Sequence, residues 1–559
     1  MKRWKMASVT MGLVLAVAGC SGGGENVSQD QTEGPQESTT GTDAVTFSYF
    51  QADPNPNWTD MEDQLGKVIT EETGVTIDAE YGIGDDKEKI ALIAASGEYP
   101  DLIAPKGNTV LVEAGAMVNL EPLIREHAPN IMKMLDGDLS RLRYSNDDQS
   151  IYYIPIINTV GHTRFDAGGM FNLQHDVVRD LGFPEIRTVK DYENAIREYK
   201  EKHPQIDGQD TIGLSLLADD WRIMISVTNP AFIATGAPDD GEYYIDPETY
   251  EATFHYRRPE EKEYFRWLNH MNDSGLLDPE SFVQTYEQYL SKVSSGRVLG
   301  IIDADWDYSQ AEDALKAAGK FERTYGHYPV TLTEEYVDKQ FQPTGFMGGW
   351  GVGITTACAD PVRAIKFLDY LASDEGQVLI NWGIEGEHYE VVDGVRTIPA
   401  DVQERKTNDA TAFIQETGIG NYSLSLRYGD GVKDDTGNYY TTNFPELITE
   451  NYSDPAKEVL AAYGVDTWKG LFPSEEDLDV KPWGAAWDIP IPTGDELNVL
   501  FQRSQDIVRK RIPEIILADP SEFDQKWDAF MGDLDAMGIE KMEDMYTEHV
   551  KARVELWGN

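Results

Sequence analysis

Short apolar runs alternate with amphipathic segments along the chain from residue 44 onward. The apolar runs at 44–50, 75–81 and 100–105 have strand length and are bounded by Pro, Gly, Asn and Asp. Between them, apolar residues recur at helical spacing over 58–73 and 86–96. This alternation of strands and helices predicts an α/β fold with a largely parallel sheet.

Helical periodicity dominates after residue 151. It is found at 191–202, 259–274 and 286–295, and a short apolar strand at 298–306 follows. These patterns predict further strand–helix units that extend the same fold class.

The last third of the chain contains clear helix signals and one segment without a clear pattern. Asp360 followed by Pro361 marks a helix start, as an N-cap and a first-turn proline. From Glu496 the pattern is helical to the C-terminus, with breaks expected at Pro513 and at the Asp519–Pro520 turn. The segment 393–495 is rich in Gly, Asn, Thr and Pro and gives only weak signals.

The N-terminus has the features of a secretory signal. Three basic residues precede a charge-free apolar stretch at 6–17, which is shorter than the roughly 20 residues that a membrane span needs. Ala18, Gly19 and Cys20 follow, and the string VAGC resembles the bacterial lipobox, with Val17 in the place of the usual Leu. We predict a signal peptide at 1–19 and lipidation of Cys20; the alternative is an ordinary secretory signal that contains a cysteine.

A polar segment separates Cys20 from the first predicted strand. Residues 20–43 are mostly Gly, Ser, Thr, Gln, Glu and Asp, with Val27 as the only large apolar residue, so we expect no packed structure there. As a flexible coil, the segment would reach about 25 Å on average. We therefore predict a linker that holds a folded body at the outer face of the cell membrane through the lipid on Cys20.

Composition indicates a globular body without disulfides. Residues 44–559 are enough for two or more lobes with their own cores. The chain has 2 Cys in total, so lipidation of Cys20 would leave Cys358 unpaired. We interpret Cys358 as a small buried apolar residue.

The charge of the chain is strongly negative. Its 99 acidic and 47 basic residues give a net charge of −52, a field that repels nucleic acid and anionic lipid head groups. The acidic residues are scattered along the chain, which favours a soluble outer surface over a dedicated site for a cationic ligand. We expect a monomer with neither a nucleic-acid partner nor a cofactor.

A search for catalytic and metal-binding motifs gives no assignment. Zinc-binding HExxH and CxxC spacings, the GxSxG elbow of serine hydrolases and the GxxxxGK[ST] phosphate loop are all absent from residues 44–559. Carboxylate pairs of the glycosidase kind carry no information in a chain with 99 acidic residues. We therefore predict a binding protein rather than an enzyme, with no metal site.

Aromatic residues follow several predicted strands, beside polar residues. In open α/β sheets, ligands bind beyond the carboxyl ends of the strands, and aromatic faces beside Asp, Asn and Arg suit sugar rings. Any one of these aromatics is more often part of a core, but the set favours a saccharide site. The candidate ligand-binding residues are Asp53, Asn57, Trp58, Trp221, Arg222, Asp305, Trp306 and Trp350.

Several sequence blocks, in a shared order, resemble a known family. They are SGEYPDLIAP, IYYIPIINT, SGLLDPESF, SSGRVLGI and AIKFLDYLASDEGQVLINWGIEGEHYEV, of which NWGIEGEHYE (381–390) is the most specific. They are similar to the extracellular solute-binding proteins of family 1, the substrate-binding lipoproteins of ABC importers, and especially to the long oligosaccharide-associated branch of Gram-positive bacteria.

The resemblance implies a two-lobe fold of the periplasmic-binding-protein type II (venus flytrap), with hinge crossovers and a helical C-terminus. One lobe would hold 44–158 and 298–345, and the other 159–297 and 346–559. The chain would cross between lobes near 154–163, 303–306 and 343–353. Closure about these hinges would enclose the ligand and present the closed shape to a permease.

Two segments depart from the family pattern. NLQHDVVRDLG (172–182) lacks the Arg and Trp that are usual there, which puts ligand specificity in doubt. QIDGQDTI (205–212) is too short for the calcium loop that some members carry.

The sequence thus favours a lipid-anchored extracellular receptor that captures a saccharide, most simply an oligosaccharide, for an ABC permease. The alternatives are a surface-tethered polysaccharide-degrading enzyme and a ligand-sensing accessory to a membrane kinase. The length, linkage and charge of the sugar stay open. A uronate would require a cluster of Arg or Lys, and basic residues are scarce in this chain.

Overall fold

The structure is a computed structural model that describes residues 44–83 and 87–558. The predicted signal peptide, Cys20 and the predicted linker lie outside the described residues. Within those ranges, every helix is too short or too polar to span a lipid bilayer.

Seventeen strands are present in the described residues, most of them short. In chain order they are β1 (Val45–Gln51), β2 (Val75–Tyr81), β3 (Leu102–Ala104), β4 (Ile154–Pro155), β5 (Thr159–Val160), β6 (Met170–Gln174), β7 (Gln205–Ile206), β8 (Gln209–Asp210), β9 (Ile212–Ser215), β10 (Tyr243–Ile245), β11 (Ala252–Phe254), β12 (Val298–Asp303), β13 (Tyr325–Tyr328), β14 (Gly351–Ile354), β15 (Glu390–Val392), β16 (Val395–Thr397) and β17 (Arg427–Tyr428).

Twenty α-helices are found in the same ranges. They are α1 (Gln64–Thr73), α2 (Lys87–Ser96), α3 (Val110–Glu113), α4 (Glu121–His127), α5 (Pro129–Met134), α6 (His175–Asp180), α7 (Val189–Lys202), α8 (Pro230–Ala234), α9 (Glu261–Asp273), α10 (Tyr286–Ser294), α11 (Asp305–Ala317), α12 (Pro361–Leu371), α13 (Asp374–Trp382), α14 (Ala400–Asn408), α15 (Ala410–Thr417), α16 (Pro445–Asn451), α17 (Asp454–Tyr463), α18 (Glu496–Ile516), α19 (Phe523–Met537) and α20 (Ile539–Gly558).

The first lobe is built on a five-stranded sheet of order β2-β1-β3-β14-β4. The strands β1, β2 and β3 are parallel, as expected from the strand–helix alternation, whereas β14 runs antiparallel to both β3 and β4. Apolar side chains of this sheet pack with those of α1, α4, α12 and α13 in one core.

The second lobe is built on a four-stranded sheet of order β13-β6-β12-β9. The central strand β12 is buried along its whole length and pairs parallel with β9 but antiparallel with β6. Both sheets are therefore mixed, and together they form the two-lobe α/β fold that the family resemblance implied.

The division of the chain between the lobes differs from the prediction. Residues 298–345 were assigned to the first lobe, but β12 and β13 belong to the second sheet. Conversely, β14, α12 and α13 were assigned to the second lobe but lie in the first. The apolar pattern shows that 298–303 is a buried strand; it does not show which strand pairs with it.

The chain crosses between the sheets at three places. Two lie between β4 and β6 and between β13 and β14, close to the predicted crossings at 154–163 and 343–353. The predicted crossing at 303–306 is wrong, because α11 continues in the second lobe. The third crossing lies between Leu426, in the core of the first lobe, and Ala456, in that of the second.

The helical C-terminus packs on the second lobe. Apolar residues of α18, α19 and α20 share the core of that lobe, and Asn269 on α9 donates to the carbonyl groups of Ile515, Ile516 and Ala518. The expected break at Pro513 is wrong, because α18 continues to Ile516. A proline so near the end of a helix removes a single late hydrogen bond, which the neighbouring packing tolerates.

Helix starts follow their capping residues. The predicted start at Asp360 is confirmed: its side chain accepts a hydrogen bond from the Arg363 amide, with Pro361 in the first turn. The helix predicted from residue 58 begins only at Gln64, since Asp60 and Met61 have positive φ and Asp63 is the N-cap.

The two segments singled out near residues 205 and 358 have simple structural roles. Cys358 is a free, buried cysteine, as predicted. Residues 205–210 form the β7–β8 hairpin, which turns through Asp207 and Gly208, both with positive φ. In the part of the chain that the structure describes, no group of three or more His, Cys, Asp and Glu side chains is arranged to hold a metal ion.

Candidate functional site

Four loops of the first lobe lie side by side at one edge of its sheet. The strand directions place the residues that follow β1, β3 and β4, and those that precede β14, at this edge. With neighbouring strands about 4.8 Å apart, the loops form a row along the edge. This row contains Asp53, Lys106, Trp350 and Asn158.

The middle of the row holds an ion pair and two tryptophans. Lys106 Nζ donates to Asp53 Oδ1 at 2.5 Å and lies 5.5 Å from the centre of the Trp350 ring. The Trp350 ring meets that of Trp487 edge to face, with centroids 4.9 Å apart. A Cβ atom at Gly107 would lie 2.4 Å from Trp350 Nε1, so only glycine allows the backbone to pass this close to the indole. These contacts fix the orientation of Trp350.

The corresponding edge of the second sheet carries a stacked tryptophan pair. Trp221 follows β9 and Trp306 follows β12; their rings are 5.9 Å apart and 17° from parallel. Trp306 is 60% exposed although it is a large aromatic residue. A π-helical turn at Met224–Thr228 comes just after Trp221. The pair thus presents an open aromatic face at a sheet edge.

Arg222 packs on Trp221, one member of the pair. Its Nε donates to both carboxylate oxygens of Asp307 at 3.0 Å, and its guanidinium lies over the rings of Trp221 and Tyr286 at 4.7 and 3.8 Å. Burial raises the pKa of Asp307, although Arg222 opposes this shift. Arg222 was predicted to bind ligand oxygens; its Nε donates to Asp307 instead, and its guanidinium positions Trp221.

Asp305 lies beside Trp306 at the start of α11. Its carboxylate accepts a hydrogen bond from the Trp306 amide at 2.8 Å and rests against Gly168, where a Cβ atom would fall 2.1 Å from Oδ2. The side chain is exposed. It is therefore free to accept hydrogen bonds from hydroxyl groups above the Trp306 ring.

Trp58 and Asn57 lie in the loop that follows β1. Trp58 is partly buried: it packs against Tyr81 and Tyr422 at the core of the first lobe, and its Nε1 is buried. The backbone oxygen of Asn57 accepts a hydrogen bond from Asn421. The ring of Trp58 therefore contributes to packing in the first lobe.

A polar cavity of about 550 Å³ lies at the end of the row, next to the crossing between β4 and β6. Ligand pockets typically measure about 300–1,000 Å³. The cavity adjoins the row of loops. Asn158 belongs both to the row and to the cavity wall, and two residues earlier Ile156 N donates to Trp350 O. We call this space the hinge cavity; its ionisable wall residues are His162, Arg164, Arg427, Tyr428 and Asp430.

Helix α14 contacts both the wall of the hinge cavity and helix α11. It packs on α11, the helix that begins with Asp305 and Trp306. From α14, Lys406 Nζ donates to Thr442, a residue of the cavity wall, at 3.2 Å. Helix α14 therefore links the cavity wall to the helix that carries Trp306.

Asp303 is a buried acid at the end of β12, two residues before Asp305. Burial, with a smaller contribution from Asp307, raises the pKa of Asp303 to about 8. The folded protein therefore keeps a proton that the unfolded chain releases near pH 4. Stability conferred by this proton is present below about pH 4 and is lost as the pH rises towards 8.

An Asp303→Asn variant is expected to weaken this dependence, because the amide resembles the protonated acid. At pH 9 the variant should be more stable than the wild type by at least about 1 kcal/mol, and at pH 4 the two should differ little. Urea unfolding at several pH values measures this, and parallel pH profiles for the two proteins would contradict it.

Sequence reasoning missed Lys106, Trp487, Tyr286 and the hinge cavity. Lys106 follows β3 directly, so the rule that sheet-edge loops bind ligands could have found it. Trp487 and Arg427 lie in the segment 393–495, whose pattern gave only weak signals. Arg164 and Arg427 are far apart in the chain, so the sequence could not show that they line one cavity.

Comparison with known proteins gives one family match. Residues 64–382 match the family model described as bacterial extracellular solute-binding protein. Lipoprotein LipO of Bacillus subtilis is 22% identical over 521 residues, covering 89% of this chain and 96% of LipO. The fructooligosaccharide ABC transporter substrate-binding protein FusA of Streptococcus pneumoniae is 24% identical over 238 residues, covering 40% of this chain and 43% of FusA.

Solved structures show the same fold. FusA of S. pneumoniae in complex with kestose superposes with a TM-score of 0.64 at 16% identity, over 91% of this chain and 99% of FusA. The HMO-binding solute-binding protein of Bifidobacterium longum infantis has the same TM-score at 13% identity, again over 91% and 99% of the two chains.

Proposed function

Since this chain belongs to the family of bacterial extracellular solute-binding proteins, we propose that it captures a saccharide in the cleft between its lobes and delivers it to the permease of an ABC importer. It acts as a receptor and leaves the sugar chemically unchanged. The lipid on Cys20 holds it at the outer face of the cell membrane.

The observation that carries this proposal is the exposed face of Trp306. Trp306 is 60% exposed, and covering this apolar surface with a ligand is favourable. A sugar ring offers a flat C–H surface that packs on an indole. Trp221 stacks on the Trp306 ring, and Arg222 lies over Trp221. The Trp306 ring is therefore held in place before the ligand arrives, which reduces the entropy lost on binding. Asp305 and Asp53 supply acceptors for hydroxyl groups.

The length of the cleft favours an oligosaccharide. The row at the first sheet spans loops of four strands, and the hinge cavity of about 550 Å³ extends it. The saccharide ligands named for FusA and for the HMO-binding protein agree with this class.

Trp306→Ala is expected to weaken saccharide binding by about 10- to 100-fold, or about 1.4–2.7 kcal/mol. The matched control is Phe321→Ala, since Phe321 is 39% exposed on the same lobe but lies beyond the far end of α11, whose last residue is about 17 Å from Trp306 along the helix. Titration of each variant with an oligosaccharide panel, followed by tryptophan fluorescence and calorimetry, gives the affinities. Equal affinities for the two variants would contradict the assignment of Trp306.

A further inference from the structure

We propose that the hinge cavity binds an acidic group of the saccharide, with Arg427 as the residue that recognises it. This inference rests on the proposed function and narrows it from saccharides in general to saccharides that carry an oxyanion.

Arg427 has an incomplete set of partners. Its Nη2 donates to the carbonyl oxygen of Ile156 at 2.8 Å, whereas its Nε is buried and has no hydrogen-bond partner. In the part of the chain that the structure describes, Arg427 forms no ion pair.

Asp430 is the single acid in the cavity wall, and both of its carboxylate oxygens already accept hydrogen bonds. Asp430 accepts hydrogen bonds from Thr441 at 2.7 Å and from Asn443 at 2.6 Å. The other arginine of the wall, Arg164, has Glu475 at 3.6 Å. Burial and the neighbouring Arg164 lower the pKa of His162, so this imidazole is neutral at pH 7. The charge of Asp430 favours the protonated form of Arg427, but the two side chains form no ion pair.

A buried guanidinium without a carboxylate partner is costly. Burial lowers the pKa of Arg427, although the charge of Asp430 opposes this shift, and the net lowering reports the penalty for removing the charge from water. A ligand oxyanion would compensate this penalty through a charge-assisted hydrogen bond, and Arg matches carboxylate, sulfate and phosphate groups well. The neutral donors and acceptors around it, Asn158, Thr441 and Asn443, suit the hydroxyl groups of the same sugar.

The test compares three tetrasaccharides of equal length by calorimetry: a neutral fructan, a galacturonate and a sulfated galactan. At least one acidic tetrasaccharide should bind at least about tenfold more tightly than the neutral one. That preference should shrink as NaCl is raised, since salt screens the charge interaction. Tighter binding of the galacturonate identifies a carboxylate as the group, and tighter binding of the sulfated galactan identifies a sulfate.

The Arg427→Met variant should weaken binding of the preferred acidic tetrasaccharide at least about tenfold more than binding of the neutral one. Arg363→Met is the matched control, since Arg363 likewise donates to one backbone carbonyl, that of Thr73, but lies outside the cavity. It should keep the preference.

Several results would overturn this inference. One is a neutral tetrasaccharide that binds as tightly as both acidic ones while Trp306→Ala still weakens it; the proposed function then stands alone. Another is an equal loss for all three sugars in Arg427→Met, which assigns the arginine a structural role. If Arg427→Met does not fold, the salt dependence of wild-type binding decides: a preference for an acidic sugar that does not shrink as NaCl is raised would overturn the inference. Absence of binding to any saccharide would overturn the proposed function as well.

Discussion

A Cys20→Ser variant is expected to move almost all of the protein from the cell membrane to the culture medium, with ligand binding intact. The thiol of Cys20 is the attachment point for the predicted lipid, and serine cannot replace it. One lipid chain binds a membrane only marginally, whereas two or more hold a protein firmly, so loss of the anchor should change the distribution completely. Fractionation of cells and medium, followed by immunoblotting, measures the change.

Cys358→Ser is the matched control for this experiment, because the chain has 2 Cys and Cys358 is the other one. Cys358 is buried in the first lobe, so its replacement should leave the protein at the membrane. Retention of Cys20→Ser at the membrane would contradict the predicted anchor, whereas the binding experiments on the folded body would be unaffected.

Replacing Lys481 with methionine is expected to lower the free energy of unfolding by about 3–5 kcal/mol. Lys481 Nζ donates to Asp240 Oδ1 at 2.6 Å, and both side chains are almost completely buried, at 3% and 2% exposure. Burial raises the pKa of Asp240, and Lys481 opposes that shift. Without Lys481, the carboxylate keeps only its bonds to Trp483 and Ala486, so it must be buried uncompensated or take up a proton.

The exposed pair of Lys541 and Glu496 provides the comparison for urea unfolding. Its side chains are 56% and 59% exposed, so Lys541→Met should cost less than about 1 kcal/mol. A similar small loss for Lys481→Met would show that the buried pair is not needed for stability. The result also bears on the cleft, because the segment that Lys481 anchors carries Trp487, which packs on Trp350.

Local features of the fold were predictable from the sequence, whereas strand partners were not. The cap at Asp360 and the strand β2 depend on neighbouring residues and on a simple period, so the pattern alone gives them. The place of β12 between β6 and β9 depends on contacts between distant segments. A fully buried, largely apolar strand fits the centre of either sheet equally well, which explains the wrong lobe assignment of 298–345.

The candidate site was predictable in part for the same reason. The loops after β1, β9 and β12 were found because ligands bind at the carboxyl ends of strands, and this rule gave Asp53, Trp221 and Trp306. It could not separate Trp58, whose partly buried ring packs against the core, from Trp306, whose ring is exposed. The hinge cavity was missed because its wall combines residues from segments that are adjacent only after folding.

Isothermal titration calorimetry of the wild-type protein, against a panel of neutral and acidic oligosaccharides and a matched panel of peptides, tests whether the protein is a saccharide receptor. We expect saturable binding of at least one oligosaccharide with one site per chain, a negative heat-capacity change from burial of the Trp306 face, and no heat of binding with peptides. Binding of peptides but of no saccharide would contradict it.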